Sequence, residues 1–142
     1  FNTYLKQESP AKDLKRINTS ELNNKIKLFE NYSSQTLRVA VLNGCGVYAL
    51  ASQTTEFLRT KQIDVINSDN ADNHNYKKTL IIQRNEKFES LKKIVETFGV
   101  YLTDSTHIQT LPDESLGVDV TIILGQDYAS FAELNNYISA NY

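Results

Sequence analysis

Val118-Asp119-Val120-Thr121-Ile122-Ile123-Leu124 is the cleanest strand signal in the chain and constrains the fold most. Val118, Val120, Ile122 and Leu124 fall on one side at a period of two, as successive side chains of a strand do. Leu37-Arg38-Val39-Ala40-Val41-Leu42 and Thr79-Leu80-Ile81-Ile82-Gln83-Arg84 are similar short runs, and Ile63-Asp64-Val65-Ile66-Asn67 alternates. None approaches the ~18 apolar residues that a membrane-spanning helix needs. Short apolar runs of this kind build a sheet, which must bury at least one face.

Helical patterns separate these runs. Val47, Leu50, Ala51, Phe57 and Leu58 share one helix face, which ends near Thr60. Asn85 is placed to cap a helix carrying Phe88, Leu91, Ile94, Val95 and Phe98, and Gly99 ends it. Ser130 and Glu133 are spaced as a capping box for a last helix with Phe131, Leu134, Tyr137 and Ile138. His107 to Thr110 reads as a short edge strand. The loop over 68–78 has no helical period, so the second and third strands are expected to pair as a hairpin. The order strand, helix, strand, strand, helix, strand predicts an α+β domain of split βαββαβ, ferredoxin-like layout. It would have a four-stranded sheet with two helices on one face, plus helical additions at both ends. A small doubly wound parallel sheet is the rival.

The chain has 142 residues, which fits one domain with a short extension. Residues 1–36 read as a linker and a leading helix over about 21–31, and residues 37–142 as the α/β domain. Residues 1–36 hold six basic and four acidic side chains, and the rest hold nine and thirteen. With a net charge of −2 there is no basic excess to neutralise phosphates, so no nucleic-acid partner is expected. The single cysteine, Cys45, allows no internal disulfide. The chain starts at Phe1 and contains no Met, so it is expected to be a processed or cut product.

Gly44-Cys45-Gly46-Val47-Tyr48-Ala49 follows a strand, opens a helix and matches G-x-G-x-x-A, with Asp64 and Asp69 about 20 residues on. Such a turn lets a backbone approach a pyrophosphate. It equally serves a tight strand-to-helix turn in which glycine permits positive φ or close packing. Cys45 at a helix start would need a general base to act as a nucleophile, and only His74 and His107 exist. No paired spacing supports zinc, the acidic loop over 69–73 fails the calcium pattern, and no cofactor is expected. Asp113, Glu114, Asp119 and Asp127 offer carboxylates but no diagnostic spacing. Tyr48, Tyr76, Tyr101 and Tyr128 fall at element ends, where tyrosines stack on sugar rings or cover the core edge.

Three blocks resemble the LytR C-terminal domain family. Val39-Ala40-Val41-Leu42-Asn43-Gly44-Cys45-Gly46-Val47 with Leu50-Ala51 is similar to its opening, V-x-V-L-N-G-x-G. Asn70-Ala71-Asp72, Tyr76 and Thr79-Leu80-Ile81-Ile82 are similar to its middle segment. The run from Asp119 to Tyr128 is similar to its closing D-V-T-x-x-L-G-x-D-Y. Ala49 stands where family members often have Gly.

The resemblance implies an extracytoplasmic bacterial envelope domain without enzymatic activity, tethered to the membrane through a preceding anchor. Its expected partner is a cell-wall glycan, such as peptidoglycan, or an envelope protein. A ligand site is expected at Asn43, Gly44, Gly46 and Tyr48, with Asp127 and Tyr128 at the last strand's exit. Two alternatives come from other classes. One is a small nucleotide- or phosphate-binding enzyme using Gly44 and Gly46; the other is a homo-oligomerisation domain using the leading helix.

Overall fold

The computed structural model describes residues 37–142, so the expected linker and leading helix lie outside the described residues. Strand β1 (Arg38–Asn43) leads to helix α1 (Leu50–Thr60) and strand β2 (Asp64–Asn70). Strand β3 (Leu80–Gln83), helix α2 (Phe88–Phe98) and the short strand β4 (Ile108–Thr110) follow. Strand β5 (Val120–Leu124) and helix α3 (Ala132–Asn141) complete the described elements. The α+β class holds, and Gly99 ends α2 in the left-handed conformation, as expected.

Among the described residues the sheet has five strands, the expected edge strand at His107–Thr110 joining the predicted four as β4, and its order is β2-β1-β5-β3-β4. β1 runs parallel to both β2 and β5, β5 runs antiparallel to β3, and β3 runs parallel to β4. The split ferredoxin-like order and the expected hairpin are therefore corrected: β1 and β5 lie between β2 and β3. Burial gives the reason. All five residues of β5 are buried, and so are Ile81 and Ile82 on opposite faces of β3. These two-sided apolar strands take the middle, and β2, whose residues beyond Val65 are exposed, takes an edge. Ile66 is the extra residue of a bulge opposite Val39 and Ala40, a common feature of edges. β2 also extends to Asn70, beyond its expected end. Its polar residues need only backbone pairing with β1, and hydropathy does not register that.

The three helices among the described residues bury against one face. Val39, Val41, Val65, Ile81, Val120, Ile122 and Leu124 form the sheet side of the core. Leu50, Phe57 and Leu58 from α1, Leu91, Ile94, Val95 and Phe98 from α2, and Leu134 from α3 form the other side. Phe57 stands edge-on to Phe98 at 6.3 Å between ring centres and lies 5.7 Å from Tyr137, tying the helices together. The expected capping box does not form. Phe131 precedes α3, and the Ser130 hydroxyl donates instead to the Asp127 carbonyl within a 3₁₀ turn. Asn85 does not cap α2 either: Lys87 stands at the N-cap without a side-chain cap bond, and Asn85 Oδ1 accepts from Lys87 N–H at 2.9 Å, just ahead of the helix.

Candidate functional site at the strand exits

β1 and β5 run side by side, so the two turns that leave them share one edge of the sheet. Gly44 N–H donates to the Leu124 carbonyl at 2.8 Å, continuing the ladder past both strands. The loop over 71–79 crosses this edge. Joining β2 to β3 means spanning three inter-strand spacings, about 14 Å at ~4.8 Å each, which a tight hairpin turn cannot do. Ala71 N–H donates to Asn43 O at 2.9 Å, Tyr76 N–H to Gly44 O at 3.0 Å, and Gln126 N–H to Tyr76 O at 2.9 Å.

The β1 turn is closed by one buried side chain. Asn43 Oδ1 accepts from the N–H groups of Cys45 at 3.1 Å and Gly46 at 3.0 Å. Its Nδ2 donates to Val47 O at 2.8 Å. Gly44 has no room for a side chain: a Cβ there would stand 2.7 Å from Tyr76 Cδ1 and 2.8 Å from Leu124 O. Gly46 has φ of 77°, with the His74 ring over it. The glycines therefore admit the close approach of protein groups, Tyr76 and His74. Ala49 has φ of 60°, a left-handed conformation that glycine adopts without penalty. That explains what the family's glycine supplies at this position.

The β5 turn is closed by contacts distant in sequence. Asp127 Oδ1 accepts from both the N–H and the hydroxyl of Thr79 at 2.8 Å. Thr79 Oγ1 in turn accepts from Gly125 N–H at 3.0 Å. Asp127 Oδ2 meets His107 Nε2 at 2.8 Å, and His107 Nδ1 meets Asp104 Oδ2 at 2.9 Å. Thr106 bonds Asp104 Oδ1 through its N–H at 3.0 Å and its hydroxyl at 2.5 Å. A Cβ on Gly125 would collide with the Lys78 carbonyl carbon and stand 2.6 Å from its oxygen.

These bonds set the local charge states. Burial disfavours charge on His107, but the bonds and charges of Asp104 and Asp127 outweigh it and raise its pKa. Burial would raise Asp127, yet His107 and Thr79 hold it below the usual carboxylate value. The Thr106 hydroxyl, with His107 second, lowers Asp104 to about 2. Tyr76 is raised because its hydroxyl donates to Asp72 at 2.7 Å.

Of the six expected ligand residues, Asn43, Gly44 and Asp127 are engaged internally. Tyr128 is half-buried against the core. Gly46 is exposed, and Tyr48 is 93% exposed. The structure thus brings both turns together and leaves Tyr48 as their bare aromatic. Thr79 and His107 are site-building residues that sequence reasoning did not single out. Asp113 and Asp119 do not pair with Asp127. Asp113 accepts from Ser115 in a 3₁₀ turn, and Asp119 lies before β5, bound to Arg38 N–H and Asn85. Among the described residues, no hydrogen bond joins Cys45 to a histidine, and no group of three or more His, Cys, Asp or Glu is placed to hold a metal.

A mixed sheet with its helices on one face and two interlocked turns at its exits defines a small α+β domain. Its family blocks converge on one edge. The chain belongs to the LytR C-terminal domain family: the family model described as LytR cell envelope-related transcriptional attenuator matches residues 36–128. This is a cell-envelope-associated domain. No curated protein and no solved structure matches the chain significantly. No helix among the described residues is long and apolar enough to cross a membrane.

Proposed function

We propose that the domain is a non-catalytic, extracytoplasmic module that contacts cell-wall glycan through the β1 turn, with membrane tethering supplied outside the described residues. The observation that carries this reading is Tyr48, 93% exposed on a turn whose backbone Asn43 fixes. A tyrosine ring presents an apolar face for a sugar ring and a hydroxyl for its polar rim. Holding the turn rigid lowers the ordering cost of binding. The chemistry of the edge supports a non-catalytic role. Both His107 nitrogens face carboxylates, so neither is free to serve a nucleophile, and the Thr79 hydroxyl is buried and doubly bonded.

Co-sedimentation of the 142-residue chain with isolated peptidoglycan sacculi, beside an unrelated acidic protein, tests this. Saturable pelleting that survives moderate salt is expected. Pelleting no greater than the control's would reject glycan as the ligand and leave an envelope protein as the partner to seek.

A further inference from the structure

We propose that His107, anchored on Asp127 at the β5 exit, is a proton-operated latch that fastens the Asp104 segment of the loop over 99–107. The geometry carries the inference. Each ring nitrogen faces a carboxylate oxygen, Asp104 at 2.9 Å and Asp127 at 2.8 Å, and only the imidazolium donates from both. A neutral ring has one N–H, so one carboxylate must then face a lone pair. The Thr106 hydroxyl, which bonds Asp104 Oδ1, also lies 3.2 Å from Nδ1. Asp104 lies on the ring's own loop, and Asp127 on the turn leaving β5. The uncharged Phe131 ring, ahead of α3, stands edge-on at 5.3 Å.

Asp127 stays in place when the proton leaves, because Thr79 holds its other oxygen through two bonds. Asp104 has its own partners only within the exposed loop, in Thr106. Alkaline pH therefore releases the Asp104 side. The loop's hold on β4 loosens with it, because Ile108 N–H donates to the Asp104 carbonyl at 3.0 Å. The raised His107 pKa agrees in sign. Its stabilisation is complete below the unfolded value of ~6.5 and is lost as pH rises through the folded value. Asp104 acts in the opposite direction, losing its contribution as pH falls from the ordinary carboxylate range toward about 2. The latch is thus tightest between ~4 and ~6.5. It controls a loop bordering the edge that the proposed contact uses.

Amide hydrogen exchange, expressed as protection relative to intrinsic rates, reads the latch directly. In the full chain, protection of Thr106, His107 and Ile108 is expected to fall about tenfold between pH ~6 and ~9, while Val41 in β1 holds. In Asp104→Asn, the introduced amide can donate to the bare nitrogen, so the same protection should stay flat with pH. Ring nitrogen shifts should show the imidazolium at pH ~6. A neutral ring at that pH, wild-type protection that does not change, or an Asp104→Asn profile as steep as wild type would each overturn the latch. None of these readouts depends on glycan binding.

Discussion

The two turns leaving the neighbouring strands β1 and β5 solve the same problem by different means. At the β1 exit, one Asn43 side chain bonds residues two to four positions ahead of it, and the bonds stay within one turn. At the β5 exit, Asp127 reaches Thr79, 48 positions back, and His107, 20 positions back. The first turn is a local device that leaves its tyrosine bare. The second is a tertiary lock that draws its tyrosine against the core. Local closure frees a side chain for outside contact, whereas long-range closure uses its side chains to hold separate segments together.

The largest test of this contrast lies at the glycine of the second turn. Gly125→Ala would drive a methyl into the Lys78 backbone, which cannot yield as a flexible side chain would. A loss of about 3 kcal/mol, or failure to fold, is expected in urea denaturation, at the upper end of overpacking penalties. A midpoint within experimental error of wild type would show that the crossing loop does not hold this edge.

The side chains closing the turns come next. Asp127→Ala leaves the Thr79 N–H unpartnered and removes a charged partner from His107, so about 2–3 kcal/mol should be lost. Asn43→Ala breaks a comparable set of neutral bonds at a partly wetter turn, where water can replace them, and should cost about 1–2 kcal/mol. The pH dependence should separate the two, because His107 bonds the second turn, through Asp127, and not the first. The Asn43 variant should keep the wild-type alkaline profile and the Asp127 variant should make it shallower, with Asp104 alone still raising His107. The reverse order of losses, with both profiles unchanged, would dissolve the distinction.

A smaller effect sharpens it. Ala49 sits at φ of 60°, where a Cβ costs about 1–2 kcal/mol. Glycine gives back about 0.5–1 kcal/mol of that through its freer unfolded chain. Ala49→Gly should therefore stabilise by about 0.5–1 kcal/mol, visible as a higher midpoint at unchanged slope. A destabilised variant would mean that the β1 turn is not strained there.

The local turn was also the legible one. Asn43-Gly44-Cys45-Gly46 between an apolar run and a helical pattern marks a strand-to-helix turn in the sequence itself. The partners of Asp127 were not legible, because nothing near it in sequence points to Thr79 or His107. Both threonine and aspartate stood in the family blocks, but only the crossing loop explains why they meet. Strand positions were readable from apolar runs, and their order was not. β2 and β3 were expected to pair because a polar loop joins them, yet burying β5 on both faces required a place between β1 and β3. Ser130 and Glu133 had the right spacing for a cap, but the 3₁₀ turn took the serine hydroxyl. Tyr48 is one of four candidate tyrosines; its exposure separates it from Tyr76 and Tyr128, and its place on the β1 turn separates it from Tyr101, which is 82% exposed.

The most direct test of the central claim, that the family blocks build a scaffold and Tyr48 is left to make contact, is Tyr48→Ala in the sacculus assay beside its thermal midpoint. An exposed side chain with no internal bond should change stability by no more than about 0.5 kcal/mol. Losing a stacking platform should weaken pelleting roughly tenfold, since ~1.4 kcal/mol corresponds to that factor. A variant that melts like wild type and no longer pellets is the predicted result. A variant that pellets like wild type, where the wild type binds, would contradict the account and move the contact off the β1 turn.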